Sequence, residues 1–260
     1  QCIIPTRNAY LKGYLKTQAT PGAIEFIDFN IKDFSKIEEA IKNSDIVINL
    51  IGILFENRKQ KFTNIHSDLP GLIAKHCSES EVKKFIHVSA IGANENSKSL
   101  YQKSKFAGEQ KALNNFKNTI IIRPSVVCGT EDNFTNLFAK LSMVPIIPVV
   151  KTSYRFQPIL VDDVATAILK SIEIKKNEGK IYEIGGPKVI TFGNMVKSIL
   201  NTINKKRLVV DLPMPIAKIQ ASLLSLMPNP LLTKDQCEIL NEADNVVSNN
   251  HLTLEDLNIK

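Results

Sequence analysis

The chain has 260 residues, 43% of them hydrophobic and 23% charged, so it can bury a large core, alone or with a smaller second lobe. Its cysteines (Cys2, Cys77, Cys128 and Cys237) are widely separated, and neither they nor the four histidines have the spacing of a zinc site or a disulfide framework. We therefore predict reduced thiols and no metal centre.

The formal net charge is +7, which would suit a nucleic acid or an anionic membrane surface as partner. Only five of the 33 basic residues are arginine, however, and the basic residues are spread along the chain. We interpret the charge as a compositional bias and predict no nucleic-acid partner. No apolar run reaches the roughly 18–20 residues of a spanning helix, and the N-terminus lacks the pattern of a signal peptide. The sequence therefore predicts a chain without a spanning segment, in a cytoplasmic or mitochondrial-matrix-like compartment.

Short apolar runs alternate with helical patterns in the first half of the chain. Strands are predicted at residues 1–6, 24–27, 46–52, 85–89 and 119–122, and helices at a segment capped near Asp33 and at residues 61–77 and 101–113. Residues 46–52 are apolar almost throughout, which is typical of a strand buried on both faces. Strand-then-helix units in series predict an α/β fold with a Rossmann-like, doubly wound parallel sheet, in which ligands bind at the carboxyl ends of the strands.

Helical patterns dominate the second half of the chain. In chain order we predict a helix at 134–141, a proline-broken apolar stretch at 144–150, a strand at 157–161, a helix that opens on Asp162 and Asp163, a strand at 181–184, a tight turn at 185–187, a helix from Thr191 to 203, a strand at 208–212, a helix at 216–227 and a last helix from Thr233. The acidic pair is interpreted as the carboxylate of a helix N-terminus rather than as a catalytic group. We divide the chain into a Rossmann-like core at 1–186 and a small, mostly helical C-terminal subdomain at 187–260, packed on that core.

The predicted helix at residues 216–227 is almost wholly apolar. Ile216, Ile219, Leu223 and Leu226 form one stripe along it. The helix is too short to span a bilayer and too apolar to lie free in water. It either packs into the core or forms a docking face for a partner or a membrane surface.

Tyr101 and Lys105 are one helical turn apart, so their side chains share a face of the predicted helix. An ammonium beside a phenol favours the phenolate and lowers its pKa, as proton exchange with a carbonyl or carbinol near neutral pH requires. Ser89 ends the preceding strand and could hold the substrate oxygen beside that phenol. The spacing of the pair is common in a chain this rich in lysine, so the interpretation depends on its place after the strand.

Together these motifs resemble the short-chain dehydrogenase/reductase superfamily, in its extended or atypical, epimerase/dehydratase-like branch. The resemblance covers nearly the whole chain and is carried, in order, by Arg7 after a strand, residues 28–29, 49–52 and 85–89, Tyr101 with Lys105, and residues 123–125, 161–165 and 185–187. Residues 47–56, 155–158 and 232–236 are most similar to the family of the Rossmann-type accessory subunit of respiratory complex I and its bacterial relatives.

The resemblance implies roles for individual residues. Ser89, Tyr101 and Lys105 match the catalytic set of the superfamily, and Tyr101 and Lys105 also meet the cofactor. Arg7 matches the residue that binds the 2′-phosphate of NADP, so the implied cofactor is NADP(H), with NAD as the alternative. The other implied cofactor contacts are Asp28 and Phe29 beside the adenine, Leu50, Ile51 and Gly52 along the adenosine, and Pro124, Ser125 and Val126 as the wall behind the nicotinamide.

Two departures from the superfamily pattern matter. Its first strand and glycine-rich turn, with the following helix whose N-terminus binds the pyrophosphate, would precede residue 1. We therefore predict a fragment, the remnant of a decayed gene or one half of a split protein, with a slot in its sheet and little or no affinity for a dinucleotide. Leu160 stands where sugar-nucleotide epimerases of this branch usually carry histidine, which argues against an epimerase.

Three functions remain open. The resemblance favours a protein that holds NADPH mainly as a structural cofactor and supports the assembly or stability of respiratory complex I, at the inner face of an energy-transducing membrane. The first alternative is an active reductase or epimerase, in which Tyr101 donates a proton, Lys105 lowers its pKa and holds the nicotinamide ribose, and Ser89 orients the carbonyl. The second is a dinucleotide-sensing regulator without chemistry.

Overall fold

The computed structural model describes residues 1–29, 34–174, 179–225, 227 and 230–259. The strands are β1 (Cys2–Thr6), β2 (Ile24–Asp28), β3 (Ile46–Asn49), β4 (Lys84–Val88), β5 (Thr119–Pro124), β6 (Val127–Cys128), β7 (Ile146–Val150), β8 (Arg155–Phe156), β9 (Ile159–Leu160), β10 (Lys180–Ile184), β11 (Ile190–Thr191) and β12 (Leu208–Leu212). The α-helices are α1 (Ser35–Lys42), α2 (Leu69–Ser78), α3 (Leu100–Asn115), α4 (Asn133–Leu141), α5 (Val161–Glu173), α6 (Phe192–Thr202), α7 (Met214–Leu224) and α8 (Lys234–Asn241). Two 3-10 helices (Ala9–Gln18 and Glu255–Leu257) and a π-helical turn (Thr63–Asp68) are also present.

The central sheet is parallel, with the strand order β10-β5-β4-β3. β5 is buried along its whole length, and Ile120, Ile121 and Ile122 are fully enclosed. A β-branched run of this kind suits a strand that is covered on both faces. One face of the sheet packs against α1, α2 and α3, and the other against α5. The predicted doubly wound α/β fold is confirmed.

β1 and β2 form a separate parallel pair, in register from Cys2 opposite Ile24 to Thr6 opposite Asp28. Within the described residues, no strand pairing joins this pair to the central sheet, so the sheet is interrupted between the two groups of strands. β3 is consequently an edge strand, and Ile48 is 40% exposed. The prediction of a strand at 46–52 buried on both faces is therefore wrong, because the strand ends at residue 49 and lacks a paired neighbour on one side.

The segment predicted as one helix at 61–77 has two parts, a π-helical turn followed by α2. A Cβ atom at Gly108 of α3 would lie 1.7 Å from the carbonyl oxygen of His66 in that turn. The two backbones therefore approach so closely that only glycine fits at position 108. The predicted cap of the preceding helix, Asp33, lies outside the described residues.

A second lobe forms around its own hydrophobic cluster. β7 pairs in parallel with β12, and β8 pairs in antiparallel with β11. The cluster contains residues from α4 and β7 as well as from α6, α7 and α8, among them Phe138, Ile147, Val196, Ala221 and Leu240. The predicted division at residue 186 stays a prediction, but this cluster draws on both sides of it.

After α8 the chain returns to the first lobe. Asn245 pairs with Phe156, Leu252 pairs with Tyr182, and the amide of Glu183 in β10 donates to the carbonyl oxygen of Leu252 at 2.8 Å. Residues near the C-terminus thus pair with β8 and with the edge strand β10, although they are far from both in sequence.

α7 buries its two alanines and exposes three of its large aliphatic residues. Ala217 and Ala221 are fully buried, whereas Ile216, Ile219 and Leu223 are 54%, 66% and 67% exposed. The helix ends at residue 224, and Leu226 of the predicted stripe lies outside the described residues. The prediction that this stripe packs into the core is therefore wrong for Ile216, Ile219 and Leu223, because the helix turns its alanines and Leu224 toward the lobe instead. Among the described helices, none is long and apolar enough to cross a bilayer.

Candidate functional site

Lys105 is the central charge of the candidate site. Its side chain is buried, and Nζ donates to the Val88 carbonyl oxygen at 3.3 Å, at the carboxyl end of β4. A Cβ atom at Gly52 would lie 3.5 Å from Nζ, so the loop after β3 passes directly beside the ammonium. Burial lowers the pKa of Lys105 to about 8, against the opposing influence of Glu109. An ammonium has three protons to donate, and Val88 accepts one of them, so this group could also serve a ligand.

Ser89 follows the carbonyl group that Lys105 contacts. Its amide donates to the carbonyl oxygen of Ile122 at 2.7 Å, which holds it at the end of β4. Its hydroxyl oxygen is buried and has no hydrogen-bond partner among the described residues, and the same is true of Nε2 of His87. Buried polar atoms without partners are costly, so a polar ligand group bound here would relieve that cost.

Tyr101 lies one turn before Lys105 on α3, and the ammonium is 5.9 Å from the centroid of its ring. The ring meets Phe62 and His66 edge to face, with centroid distances of 5.7 and 5.1 Å. Burial, together with the charge of Asp235, raises the pKa of Tyr101 to about 12. The predicted lowering of this pKa is therefore wrong for the protein alone, because the phenol is desolvated near a carboxylate.

Asp235 of α8 clamps the start of α3. Its carboxylate accepts hydrogen bonds from the Ser99 hydroxyl at 2.8 Å and from the amides of Leu100 and Tyr101 at 2.6 and 3.2 Å. A carboxylate at a helix N-terminus satisfies free amides and interacts favourably with the helix dipole. This contact joins residues more than 130 positions apart, so local sequence patterns did not predict it.

His66 lies in the π-helical turn and contacts the ring of Tyr101, and it was not predicted as a site residue. Its Nε2 accepts from the amide of Ile53 at 3.0 Å, so Nδ1 carries the proton and donates to the Ser104 hydroxyl at 3.1 Å. Burial, and then the charge of Lys105, lowers the pKa of His66 to about 3. A neutral imidazole of defined tautomer therefore supports the tyrosine ring. A π-helical turn often marks a functional site, but it cannot be read from spacing.

A second buried histidine lies on β4. Nδ1 of His87 is 3.1 Å from Nδ2 of Asn49, and the other side-chain atom of Asn49, Oδ1, accepts from the amide of Ile51 at 3.0 Å. The amide nitrogen of Asn49 can only donate, so the unpartnered Nε2 of His87 carries the proton. Burial, followed by the charge of Lys105, holds the pKa of His87 well below its usual value.

The residues predicted near the adenine lie on the β1–β2 pair. Thr6 and Asp28 are opposite each other, so Arg7 and Asp28 emerge at the same carboxyl edge. Arg7 is exposed, and Asp28 accepts from the amide of Ala9 at 2.9 Å. Phe29 packs against the cluster of α1 and α2. The described hydrogen bonds do not connect these residues to Lys105, and their cofactor roles stay predictions.

The predicted adenosine contacts follow β3. Leu50 is 65% exposed, and Ile51 packs against the cluster of α1 and α2. Gly52 is the member of this group that lies beside Lys105.

The predicted nicotinamide wall lies at the end of β5. Pro124 and Ser125 are buried, and Val126 is half-buried. The Ser125 hydroxyl and the Val126 amide donate to Oδ1 of Asn245 at 2.6 and 3.1 Å. The returning C-terminal segment therefore satisfies the polar groups of this wall, which sequence analysis did not foresee.

Comparison with known proteins defines the class. Residues 14–229 match the RmlD substrate binding domain family. The chain is 32% identical to NADH dehydrogenase (ubiquinone) 1 alpha subcomplex subunit 9 of Mus musculus, over 100% of this chain and 70% of that protein. It is 34% identical to the protein of the same name in Dictyostelium discoideum, over 94% of this chain and 69% of that protein. Both relatives are named as mitochondrial proteins.

Solved structures share the fold. The dTDP-4-dehydrorhamnose reductase of Bacillus anthracis, solved with NADP, matches with a TM-score of 0.65 at 19% identity, over 81% of this chain and 84% of that chain. The UDP-glucuronic acid 4-epimerase of Bacillus cereus, solved with UDP-glucuronic acid and NAD, also matches with a TM-score of 0.65, at 18% identity over 95% of this chain and 85% of that chain.

The fold is thus that of the epimerase/dehydratase-like short-chain dehydrogenases/reductases. Within this class the chain belongs to the RmlD substrate binding domain family and, more closely, to the family of the complex I alpha subcomplex subunit 9.

Proposed function

We propose that this protein is a nicotinamide-dinucleotide-binding accessory subunit of a respiratory complex I, in which NADP(H) has a mainly structural role. The observation that carries the proposal is the group of buried polar atoms that lack partners in the described structure, Ser89 Oγ and His87 Nε2, close to the ammonium of Lys105. The ammonium of Lys105, the Nε2–H of His87 and the hydroxyl of Ser89 suit hydrogen bonding to the hydroxyl groups of a bound sugar. The family supports the same assignment, since its mitochondrial relatives are named as NADH dehydrogenase subunits.

Four of the predicted site residues have a task in this proposal. A nicotinamide dinucleotide, when bound, supplies hydride-transfer chemistry. Lys105 and Ser89 would hold its ribose and carboxamide end, and Gly52 would let the sugar approach Lys105. Arg7, exposed at the carboxyl edge of β1, would bind a 2′-phosphate and thereby select NADP(H) over NAD.

The electrostatics favour a structural cofactor over turnover. The pKa of Tyr101 is raised to about 12, whereas an efficient proton donor has a pKa near the working pH. A working reductase is the second candidate. It is favoured by one observation, that Tyr101 and Lys105 lie together on α3 while Lys105 contacts the strand end that carries Ser89.

The proposed partner surface is the stripe of exposed aliphatic side chains on α7. Ile216, Ile219 and Leu223 face away from the lobe. Exposed aliphatic side chains on one face of a helix suit the surface of a membrane. In this proposal the protein lies at the inner face of the inner membrane, against other complex I subunits.

The proposal is tested on protein isolated from its own membranes. Blue native electrophoresis should show it migrating with NADH dehydrogenase activity, and mass spectrometry of the isolated complex should find NADP(H) that is not consumed when carbonyl substrates are added. Migration apart from that activity would overturn the complex I assignment. Oxidation of NADPH that is lost in Tyr101→Phe would establish the reductase instead.

We also expect residues 1–260 alone to bind NADPH weakly, because their sequence contains no Gly-x2-Gly-x2-Gly motif to hold the pyrophosphate. Titration of NADPH into this chain, followed by nucleotide fluorescence, should show no saturation at micromolar ligand. A micromolar dissociation constant would contradict this expectation, and its loss in Lys105→Met would then assign the binding to the site described above.

A further inference from the structure

The second lobe contains an apolar cavity with a volume of about 330 Å³, lined by residues of α4, β7, α6, α7 and α8 and open to solvent on one side. This volume lies at the small end of the range of roughly 300–1,000 Å³ typical of small-molecule sites. Half-buried aliphatic side chains from three separate helices face it, including Leu137, Leu224 and Ile239. The cavity is therefore a space between packed elements rather than a groove on one helix.

The lining is poor in groups that could bind a polar ligand. Among the described residues it includes no charged side chain. Two of its polar atoms are already engaged: the Tyr154 hydroxyl donates to the Ala243 carbonyl oxygen, and Oε1 of Gln236 accepts from the amide of Thr233. Tight binding of a diphosphate relies on cationic side chains, and none lines this cavity among the described residues, so the lining does not suit a nucleoside diphosphate.

The mouth of the cavity is apolar as well. Val144 and Leu231 line the cavity and are nevertheless 47% and 50% exposed. Leu224, which also lines it, is the direct neighbour of Leu223 on the exposed stripe of α7. An apolar entrance that continues into an exposed apolar stripe provides a path for a hydrocarbon chain without contact with water.

We propose that this cavity binds one long hydrocarbon chain, such as the acyl chain of a fatty acid or of a membrane lipid. The chain would enter between α7 and the loop at Val144, and its polar end would stay at the surface near Gln220, which is exposed at the rim. The proposal does not depend on dinucleotide binding, since the cavity lies in the second lobe and is not lined by Ser89, Tyr101 or Lys105.

The test is a titration of the whole chain with the fluorescent fatty acid cis-parinaric acid. Wild type should bind one molecule per chain, and palmitate should displace it, whereas UDP-glucose should not. Displacement by lysophosphatidylcholine that is stronger than by palmitate would identify a membrane lipid as the source of the chain, and the reverse order would identify a free fatty acid.

Cavity-filling variants make the test specific. Leu224→Trp and Ile239→Trp should each weaken binding at least about tenfold, because an indole occupies the space of the ligand. Leu169→Trp, at an exposed position of α5 that does not line the cavity, should bind as wild type does. The proposal would be overturned by any of three results: binding of cis-parinaric acid to wild type that does not saturate, displacement by UDP-glucose as strong as by palmitate, or unchanged affinity in a filling variant that folds. Should a filling variant not fold, a rise in the melting temperature of wild type with palmitate but not with UDP-glucose still supports it, and no rise counts against it.

Discussion

Lys105 is enclosed by protein, and burial lowers its pKa to about 8 from an ordinary value of 10.5. Between these two values the unfolded chain binds more protons than the folded chain, so the free energy of unfolding rises with pH. Burial of the ammonium lowers the free energy of unfolding by its full amount below about pH 8, and this loss of stability disappears as the pH approaches 10.5. At its upper limit that loss is about 3 kcal/mol.

We therefore expect Lys105→Met to stabilise the protein more at about pH 7 than at about pH 9.5. The measurement is the free energy of unfolding in urea for both proteins at both pH values, and the quantity of interest is the change in their difference. Lys103→Met, on the exposed side of the same helix, should show no such change. A difference between wild type and Lys105→Met that is independent of pH would mean that the lysine titrates normally in the folded protein.

At the level of secondary structure, the orientation of α3 depends on its contact with α8. Asp235 accepts three hydrogen bonds from the start of α3, two of them from backbone amides. Replacement of a capping side chain by alanine typically costs about 0.5–2 kcal/mol, and a charged acceptor lies at the upper end of that range.

Asp235→Ala should accordingly lower the free energy of unfolding by about 2 kcal/mol. Asp235→Asn should retain part of the stability and should lower the pKa of Tyr101, since the negative charge is removed. Urea denaturation measures the first effect and an ultraviolet titration of the tyrosines the second. Lys234→Ala, at the exposed neighbouring position, is the control, and an equal loss in both alanine variants would show that the clamp does not stabilise α3.

The exposed stripe of α7 leads to a second prediction at this level. Leu223→Glu or Ile219→Glu should abolish co-sedimentation of the protein with anionic vesicles, because a carboxylate resists transfer to a membrane surface and repels anionic lipid. Leu169→Glu, at a residue of α5 that is 61% exposed, should leave co-sedimentation unchanged. Equal binding by all variants would remove α7 as the membrane-facing surface.

In the molecule as a whole, one buried arginine ties several elements together. Nε and Nη2 of Arg123 on β5 donate to Glu109 of α3 at 2.9 and 2.6 Å, and Nη1 donates to Glu183 of β10 at 3.2 Å. Glu183 also accepts from the amide and the hydroxyl of Ser248, at 2.9 and 2.8 Å. Loss of one member of such a cluster leaves buried charges without a partner.

Arg123→Gln should therefore lower the free energy of unfolding by about 3–5 kcal/mol, measured by chemical denaturation. Arg155→Gln removes an ion pair with Asp244 in which the arginine side chain is 60% exposed, and it should cost less than about 1 kcal/mol. A similar loss of unfolding free energy in the two variants would mean that burial does not make the Arg123 cluster stronger than an exposed ion pair.

Much of this architecture could be predicted from residues that are close in sequence. The apolar run of β5, the capping threonines before α6 and α8, and the alternation of strands and helices are local patterns, so the doubly wound fold followed from them. The one-turn spacing of Tyr101 and Lys105 placed both on one helix for the same reason. The family was readable because its motifs occur in order along nearly the whole chain.

The pKa of Tyr101, the outward-facing stripe of α7 and the apolar cavity were decided only by the tertiary structure. Each depends on groups that the chain brings together from distant positions, as when Asp235 meets the start of α3 or Asn245 meets the end of β5. Burial and the charges of residues distant in sequence determine these properties, and the spacing of neighbouring residues predicts neither. The sequence by itself thus determined the fold and the family, and tertiary packing decided the electrostatics of the site and the surfaces left open to a ligand.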